Sequence, residues 1–287
     1  PSRLEKSAAP TSLPVAAAAS RSGPTSLKDG FAVLPGVGVV VGEAGVPPVP
    51  HARTYVGDGH EILALDNETG TPVWRFAGVA DTLASYAPAI LDDTILAGPG
   101  DGRLYALAAG DGRARWVLDR SSEWQYLRQL HVSGRVLVAG SYMEKLYGIS
   151  IDGGTVLWSF NAGNFINSHH VAGDTAYLWS PTGWIFAIDA ASGTLRWRHR
   201  TTDYSRAAGG WAPVMAELVT DQGRLHALAM DDVLHELDTA DGKELRRLKL
   251  PERVRPSVLP IPDHGLAFGT AQGDVLLIEI PGPSRKS

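Results

Sequence analysis

The chain has 287 residues, 44% of them hydrophobic, with 26 Lys and Arg against 31 Asp and Glu and a net charge of −5. That composition suits one compact repeat domain and argues against a nucleic-acid footprint or a polybasic membrane anchor. The chain holds no cysteine, which excludes disulfides and thiolate chemistry, and no run approaches the roughly 18 apolar residues of a spanning helix.

Residues 1–30, rich in Pro, Ala and Ser, read as a low-complexity linker tethering the chain to an upstream domain. The start at Pro1 rather than Met fits a fragment or a processed product. Residues 31–282 then form short apolar runs broken by Gly, Asp and Pro, the pattern of an all-β meander. Residues 283–287 are left as a C-terminal tail. The copy around residue 107 shows the design, with expected strands at 87–91, 94–97, 103–108 and 113–118.

The copies are marked by Gly70, Gly112, Gly154 and Gly193, spaced 42, 42 and 39 residues apart. Trp74, Trp116, Trp158 and Trp197 each stand four residues after one of these glycines. Degenerate copies follow near 237, with Gly242, and near 278. A period of about 40 residues built from short strands is the signature of a propeller blade. The expectation is a β-propeller of about six four-stranded antiparallel blades. A seventh blade, the alternative, needs a hidden copy for which the interval from Gly193 to Gly242 is too short. The last copy lacks a fourth strand, which an N-terminal strand at 31–34 is expected to lend, removing exposed edges. Asp66 and Asp189 are expected to bond turn amides, and the glycines to take positive φ. The four tryptophans are expected to bury against the neighbouring blade with their N–H on a backbone carbonyl.

The run Asp101-Gly102-x-Leu104-Tyr105-Ala106-Leu107, followed by Gly112 and Trp116, resembles the pyrroloquinoline-quinone-like (PQQ-like) propeller repeat over roughly residues 53–280. That family includes quinoprotein dehydrogenases, the bacterial outer-membrane assembly scaffold lipoprotein, and sensor domains of bacterial Ser/Thr protein kinases. The dehydrogenases have longer chains, a vicinal disulfide, and a calcium ion held by Glu, Asn and Asp. This chain has no cysteine. Asp92-Asp93 and Asp231-Asp232 fall in ordinary inter-strand turns, so the segment is read as non-catalytic. No cofactor is expected, PQQ being the one that the resemblance admits.

Departures from the repeat are where a site is sought. Aligning the Gly/Trp register brings the loops before the first strands of the blades to one funnel face, carrying Tyr86, Arg128, Gln129, His169, Trp211 and Arg255. Arginines, a histidine and aromatics suit a small anionic or aromatic ligand, or a peptide or protein. Trp124, Tyr126 and Tyr204 in two longer loops are lid candidates. His169-His170 is not expected to chelate one ion, because adjacent strand residues point to opposite faces, and no metal site is expected. The leading reading is a ligand- or protein-binding sensor or interaction domain of a larger bacterial protein such as a Ser/Thr kinase. Its alternatives are a periplasmic assembly scaffold and a PQQ-dependent dehydrogenase-like enzyme. An extracytoplasmic location is favoured over the cytoplasm, and no nucleic-acid partner is expected.

Overall fold

A computed structural model describes residues 4–7, 38–40, 53–57, 61–78, 87–124, 127–141, 144–163, 166, 168–201, 217–228, 233–250, 254–261, 265–270 and 275–278. Among these residues all regular structure is β-strand. β1 is Leu4–Ser7. The first blade joins β2 (Gly38–Val40), β3 (Arg53–Gly57), β4 (Glu61–Asp66) and β5 (Pro72–Ala77). The second takes β6 (Ala89–Leu91), β7 (Thr94–Ala97), β8 (Arg103–Ala108) and β9 (Ala114–Asp119). The third takes β10 (Leu127–Ser133), β11 (Val136–Ser141), β12 (Lys145–Ser150) and β13 (Val156–Asn161).

The fourth blade comprises β14 (Ser168–Ala172), β15 (Thr175–Ser180), β16 (Trp184–Asp189) and β17 (Leu195–Arg200). The fifth comprises β18 (Glu217–Asp221), β19 (Arg224–Leu228), β20 (Val233–Asp238) and β21 (Glu244–Lys249). The sixth holds β22 (Val254–Ile261), β23 (Gly265–Thr270) and β24 (Val275–Ile278). Its fourth member is β1, antiparallel to β24 with Leu4 opposite Ile278. The described residues thus give six antiparallel sheets of four strands.

An N-terminal strand does complete the last blade, but it is Leu4–Ser7, from the segment read as a tether. The expected donor, 31–34, lies outside the described residues. Two charged residues in four is the composition of an edge strand, which must resist pairing with other chains. That polarity is why the run carries no apolar signal in the sequence.

The chain divides into two compact units. One contains Ala16–Ile166 and Asp189–Thr194, and so blades one to three; the other contains Pro1–Val15, Asn167–Ile188 and Leu195–Ser287, and so blades four to six. Within each unit the blade junctions carry their own cores. In the first unit Tyr55, Ile62 and Trp74 meet Ile95 and Leu107, and Leu96 and Leu104 meet Leu137 and Ile149. In the second unit Tyr177 and Ile185 meet Leu225 and Leu237, and Leu228 meets Leu266 and Phe268. Central strands such as β11 and β15 are buried at every position, whereas β9, β17 and β21 alternate between half-buried and exposed. A strand with blades on both faces has no solvent side; the outermost strand keeps one.

The turns repeat in three dimensions as they do in sequence. Asp66 Oδ1 accepts from the amides of Glu68 and Thr69 at 3.1 and 2.9 Å, and Asp189 Oδ1 from that of Ser192 at 2.8 Å. The Thr69 amide and hydroxyl bonds hold the Asp66 carboxyl below its usual pKa.

The tryptophans go where expected, each indole donating to a carbonyl of the next blade. Trp74 reaches Ala109 O at 2.9 Å, Trp116 Ile151 O at 2.8 Å, Trp158 Ala190 O at 3.0 Å and Trp197 Thr239 O at 2.9 Å. The glycines have a role that the sequence did not announce. A Cβ on Gly112 would lie 2.8 Å from the Trp74 ring, and one on Gly154 2.5 Å from the Trp116 ring. At Gly193 the distance to the Trp158 ring would be 2.6 Å, and at Gly242 2.5 Å to the Trp197 ring. Each of these four turn glycines is therefore the floor under the tryptophan of the preceding blade.

Candidate functional site

The expected site lies on the first strand of each blade and the loop before it. In the first unit β6 packs beside β10; in the second β14 packs beside β18, and β18 beside β22. Within each unit these first strands are therefore neighbours. Arg128 and Gln129 stand on β10 where the register slips between Leu127, opposite Ser141, and Leu130, opposite Ala139. Gln129 is exposed. Arg255 stands on β22 where the register slips again, between Val254 and Val258. β14 and β18 pair with their neighbours without such a slip. A bulge bends its strand and re-aims the extra residue, and bulges favour places beside binding sites.

His169, on β14 opposite Leu178, is 2% exposed and sits inside the sheet. Its neighbour His170 is half-buried, with Nε2 3.0 Å from Thr220 Oγ1, and burial lowers its pKa. Trp124, a lid candidate, is 2% exposed and packs edge-on to Tyr147 with ring centres 5.1 Å apart, in the core between blades two and three. Beside it Glu123 accepts the Tyr147 hydroxyl at 2.6 Å and pairs with Arg120. Tyr86, Tyr126, Tyr204 and Trp211 lie outside the described residues. The turn carboxylates behave as ordinary surface groups, Asp93 paired with Arg115 and Asp92 with Arg135.

Blade five breaks the repeat in its strands rather than its loops. The fourth residue of the third strand is Ala64, Ala106, Gly148 or Ala187 in blades one to four, each opposite its tryptophan; in blade five Glu236 stands there, opposite Arg246. Glu236 is 4% exposed and accepts from Arg224 Nη1 and Arg246 Nη2, each at 2.8 Å. The reason is topological. A tryptophan on β21 would need a turn glycine after β24, but the partner of β24 is β1, from the opposite end of the chain, and no hairpin joins them. Removing one partner of a buried ion pair strands the others. Glu236→Ala, leaving two guanidiniums about three-quarters buried, is expected to cost about 2 kcal/mol, read as a fall of about 6 °C in melting temperature.

The junction between blades four and five holds a second departure. The fifth residue of the outermost strand is Phe76, Leu118 or Phe160 in blades one to three and Leu248 in blade five, but His199 in blade four. The third residue of the third strand is Leu63, Tyr105, Tyr147 or Phe186 in blades one to four, but His235 in blade five. The first residue of the outermost strand is Pro72, Ala114, Val156 or Leu195, but Glu244 in blade five. The donor atoms of His199, His235 and Glu244 all lie within 4.8 Å of one another. His235 Nδ1 is 2.7 Å and His199 Nε2 3.9 Å from Glu244 Oε1. Burial lowers the pKa of His199. Burial raises that of Glu244, but bonds from Arg247 and His235 outweigh it and bring it below the usual range. Sequence reading confined to His169-His170 missed this group. Strand-by-strand alignment of the repeats carries the signal.

A model of the family described as outer membrane protein assembly factor BamB matches residues 19–164, 123–215 and 181–280. No curated protein sequence matches the chain. Among solved structures, BamB from Moraxella catarrhalis is similar over 79% of this chain and 70% of its own, with 20% identity and a TM-score of 0.58. The computationally designed Ika8 protein is similar over 85% and 70%, with 16% identity and a TM-score of 0.67. The quinohemoprotein alcohol dehydrogenase ADHIIG from Pseudomonas putida HK5 is similar over 75% of this chain but 43% of its own, with 16% identity and a TM-score of 0.57. At such identities these likenesses establish the fold alone.

Proposed function

Because the chain belongs to the family described as outer membrane protein assembly factor BamB, we propose that it is a non-catalytic propeller that binds a protein partner or ligand through its first-strand face. The observation carrying this reading is that the two register slips on first strands fall at Arg128-Gln129 and at Arg255. These are residues singled out independently by their departure from the repeat. Tyr86 with Tyr126 in the first unit, and Trp211 with Tyr204 in the second, are proposed to add to the face; His169 and Trp124 are buried and leave the expected set. Arginines beside aromatics suit a peptide or an anionic or aromatic small molecule.

In the finer reading the propeller is the sensor or interaction domain of a larger bacterial protein such as a Ser/Thr kinase; the Pro/Ala/Ser-rich run expected to tether it follows β1 and so connects two blades instead. The alternative is an extracytoplasmic assembly scaffold, in line with the family description. That reading draws on Val73, Val117, Leu157, Leu195 and Leu245, exposed by 41–52% on the outermost strands. Such strands offer backbone groups and alternate side chains to an added strand. No helix among the described residues is long and apolar enough to cross a membrane. The quinoprotein reading fits least, since the chain has no cysteine for a vicinal disulfide and Asp92 and Asp93 are taken by arginines.

A thermal-shift screen with short peptides, phosphorylated metabolites, sugars and the quinone tests these readings. A ligand at about 100 times its Kd adds about 2.7 kcal/mol, or roughly 5–10 °C for a domain of this size. The expected hit is a peptide or anionic metabolite whose affinity falls about tenfold or more in Arg128→Ala and Trp211→Ala. A hit indifferent to both changes sinks the face. One lost only in Leu157→Lys moves the site to the outermost strands.

A further inference from the structure

The geometry points to a divalent transition-metal site, of zinc-like preference, formed by His199 on β17, His235 on β20 and Glu244 on β21. It goes beyond the binding reading above and does not depend on it. Two imidazoles and one carboxylate are a donor set suited to zinc and its neighbours, and three protein ligands leave positions for water or a substrate group.

The first support is the replacement pattern. Three positions that are apolar or aromatic in the other blades have become a ligating group here, and the three converge on one point. At the junction of blades one and two the equivalent rings are Phe76 and Tyr105, packed edge to face with centres 4.9 Å apart. Here the same pair is His199 and His235, with centres 6.2 Å apart. An edge-to-face contact does not call for imidazoles, whose ring nitrogens are costly to bury unpaired.

The second support is that hydrogen bonding within the cluster does not satisfy it. The His235 side chain is 3% exposed, and its Nε2, like His199 Nε2, is buried without a hydrogen-bond partner among the described residues. If His235 carries its hydrogen on Nδ1 and donates to Glu244, Nε2 is a buried acceptor with nothing to accept. With the hydrogen on Nε2, Nδ1 turns its lone pair toward the carboxylate that it touches. A cation between them turns that repulsion into a bond and gives the buried His199 Nε2, also beside Glu244, a partner.

The distances suit an ion after small shifts. Donors about 2.1 Å from a tetrahedral zinc stand about 3.4 Å apart. Here Glu244 Oε1 is 2.7 Å from His235 Nδ1 and 3.9 Å from His199 Nε2. Movements of less than about 1 Å, within reach of side-chain rotation, seat the ion. Arg247 grips Glu244 from outside, Nε to Oε1 at 3.1 Å and Nη2 to Oε2 at 3.0 Å, and so orients the carboxylate. His199 and Glu244 side chains are 17% and 26% exposed, which leaves an approach for the ion.

Untagged full-length protein, stripped with a chelator and dialysed, is titrated with zinc by calorimetry and with cobalt(II) by visible absorption. Expected are one zinc per chain with a Kd at or below about 1 μM, and cobalt bands of a low-symmetry, four- or five-coordinate site. Even partners that merely orient ligands are worth about 10–100-fold, so His199→Ala and Glu244→Gln are expected to weaken binding by at least about 100-fold. His170→Ala, at a histidine elsewhere, leaves it unchanged. Both ligand positions are partly exposed, so the variants are expected to keep the parent's circular dichroism and melting profile. Zinc binding absent from the wild type, or equal in wild type and Glu244→Gln, overturns the assignment.

Discussion

Gly154→Ala is expected to destabilise the protein by about 3 kcal/mol, while Gly70→Ala costs about 1 kcal/mol. The two positions form a matched pair. They hold equivalent places in the last hairpin turns of blades one and three with nearly the same φ, +66° at Gly154 and +67° at Gly70, so an alanine meets the same left-handed strain of about 1–2 kcal/mol at each. They differ in what stands above them. A Cβ on Gly70 has no atom within 4 Å, whereas one on Gly154 would lie 2.5 Å from the Trp116 ring. Trp116 is held by its bond to Ile151 O and cannot retreat without losing it. Overpacking of this kind adds about 1–3 kcal/mol. Melting temperatures should fall by about 8 °C at Gly154 and about 3 °C at Gly70. Equal losses would mean that the glycines serve the turn alone.

Acidification is expected to destabilise the protein through His226, and His226→Leu is expected to blunt that loss. His226 lies on β19 opposite Val219 and Glu236 and is fully buried, with neither ring nitrogen hydrogen-bonded among the described residues. Burial lowers its pKa from 6.5 to about 4; Glu236 and Asp221 push the other way, and Arg224 and Arg246 push with burial. The folded pKa lies below the unfolded one, so the unfolded chain takes up the proton first as pH falls. The stability from keeping this ring neutral is present above about pH 6.5, declines below it, and is gone below about pH 4. The loss is about 2 kcal/mol between pH 7 and pH 4.5 and nears 3 kcal/mol at the acid limit. His170 and His199 are shifted the same way, so the measurement is the difference between wild type and His226→Leu in urea midpoints at the two pH values. Parallel losses in both proteins would remove His226 as the cause.

The blades were legible because each strand is short, apolar and bounded by Gly or Asp, and because the tryptophans repeat the register. The partner of each turn glycine was not legible. Positive φ explains Gly112 from its own neighbours, but the ring that it supports belongs to Trp74. The closing strand was misplaced because Leu-Glu-Lys-Ser carries almost no hydrophobic signal, while the apolar run at 31–34 looked the better candidate. At the candidate face, the departures at Arg128 and Arg255 were visible in sequence, and the bulges beneath them depend on pairing with β11 and β23. The His199, His235 and Glu244 group was hidden for a different reason. Its members lie 36 and 9 residues apart, a spacing that means nothing until β17 is laid against the next blade.

The tryptophan bonds also have a direction along the chain. Each of the four repeat indoles finds its acceptor 32–42 residues downstream. A chain growing from its N-terminus therefore presents each of these indoles before the turn that accepts it. The sixth blade reverses that order: its outermost strand, β1, precedes its partner β24, with Leu4 and Ile278 274 residues apart. That pairing closes across the longest stretch of sequence of any among the described strands.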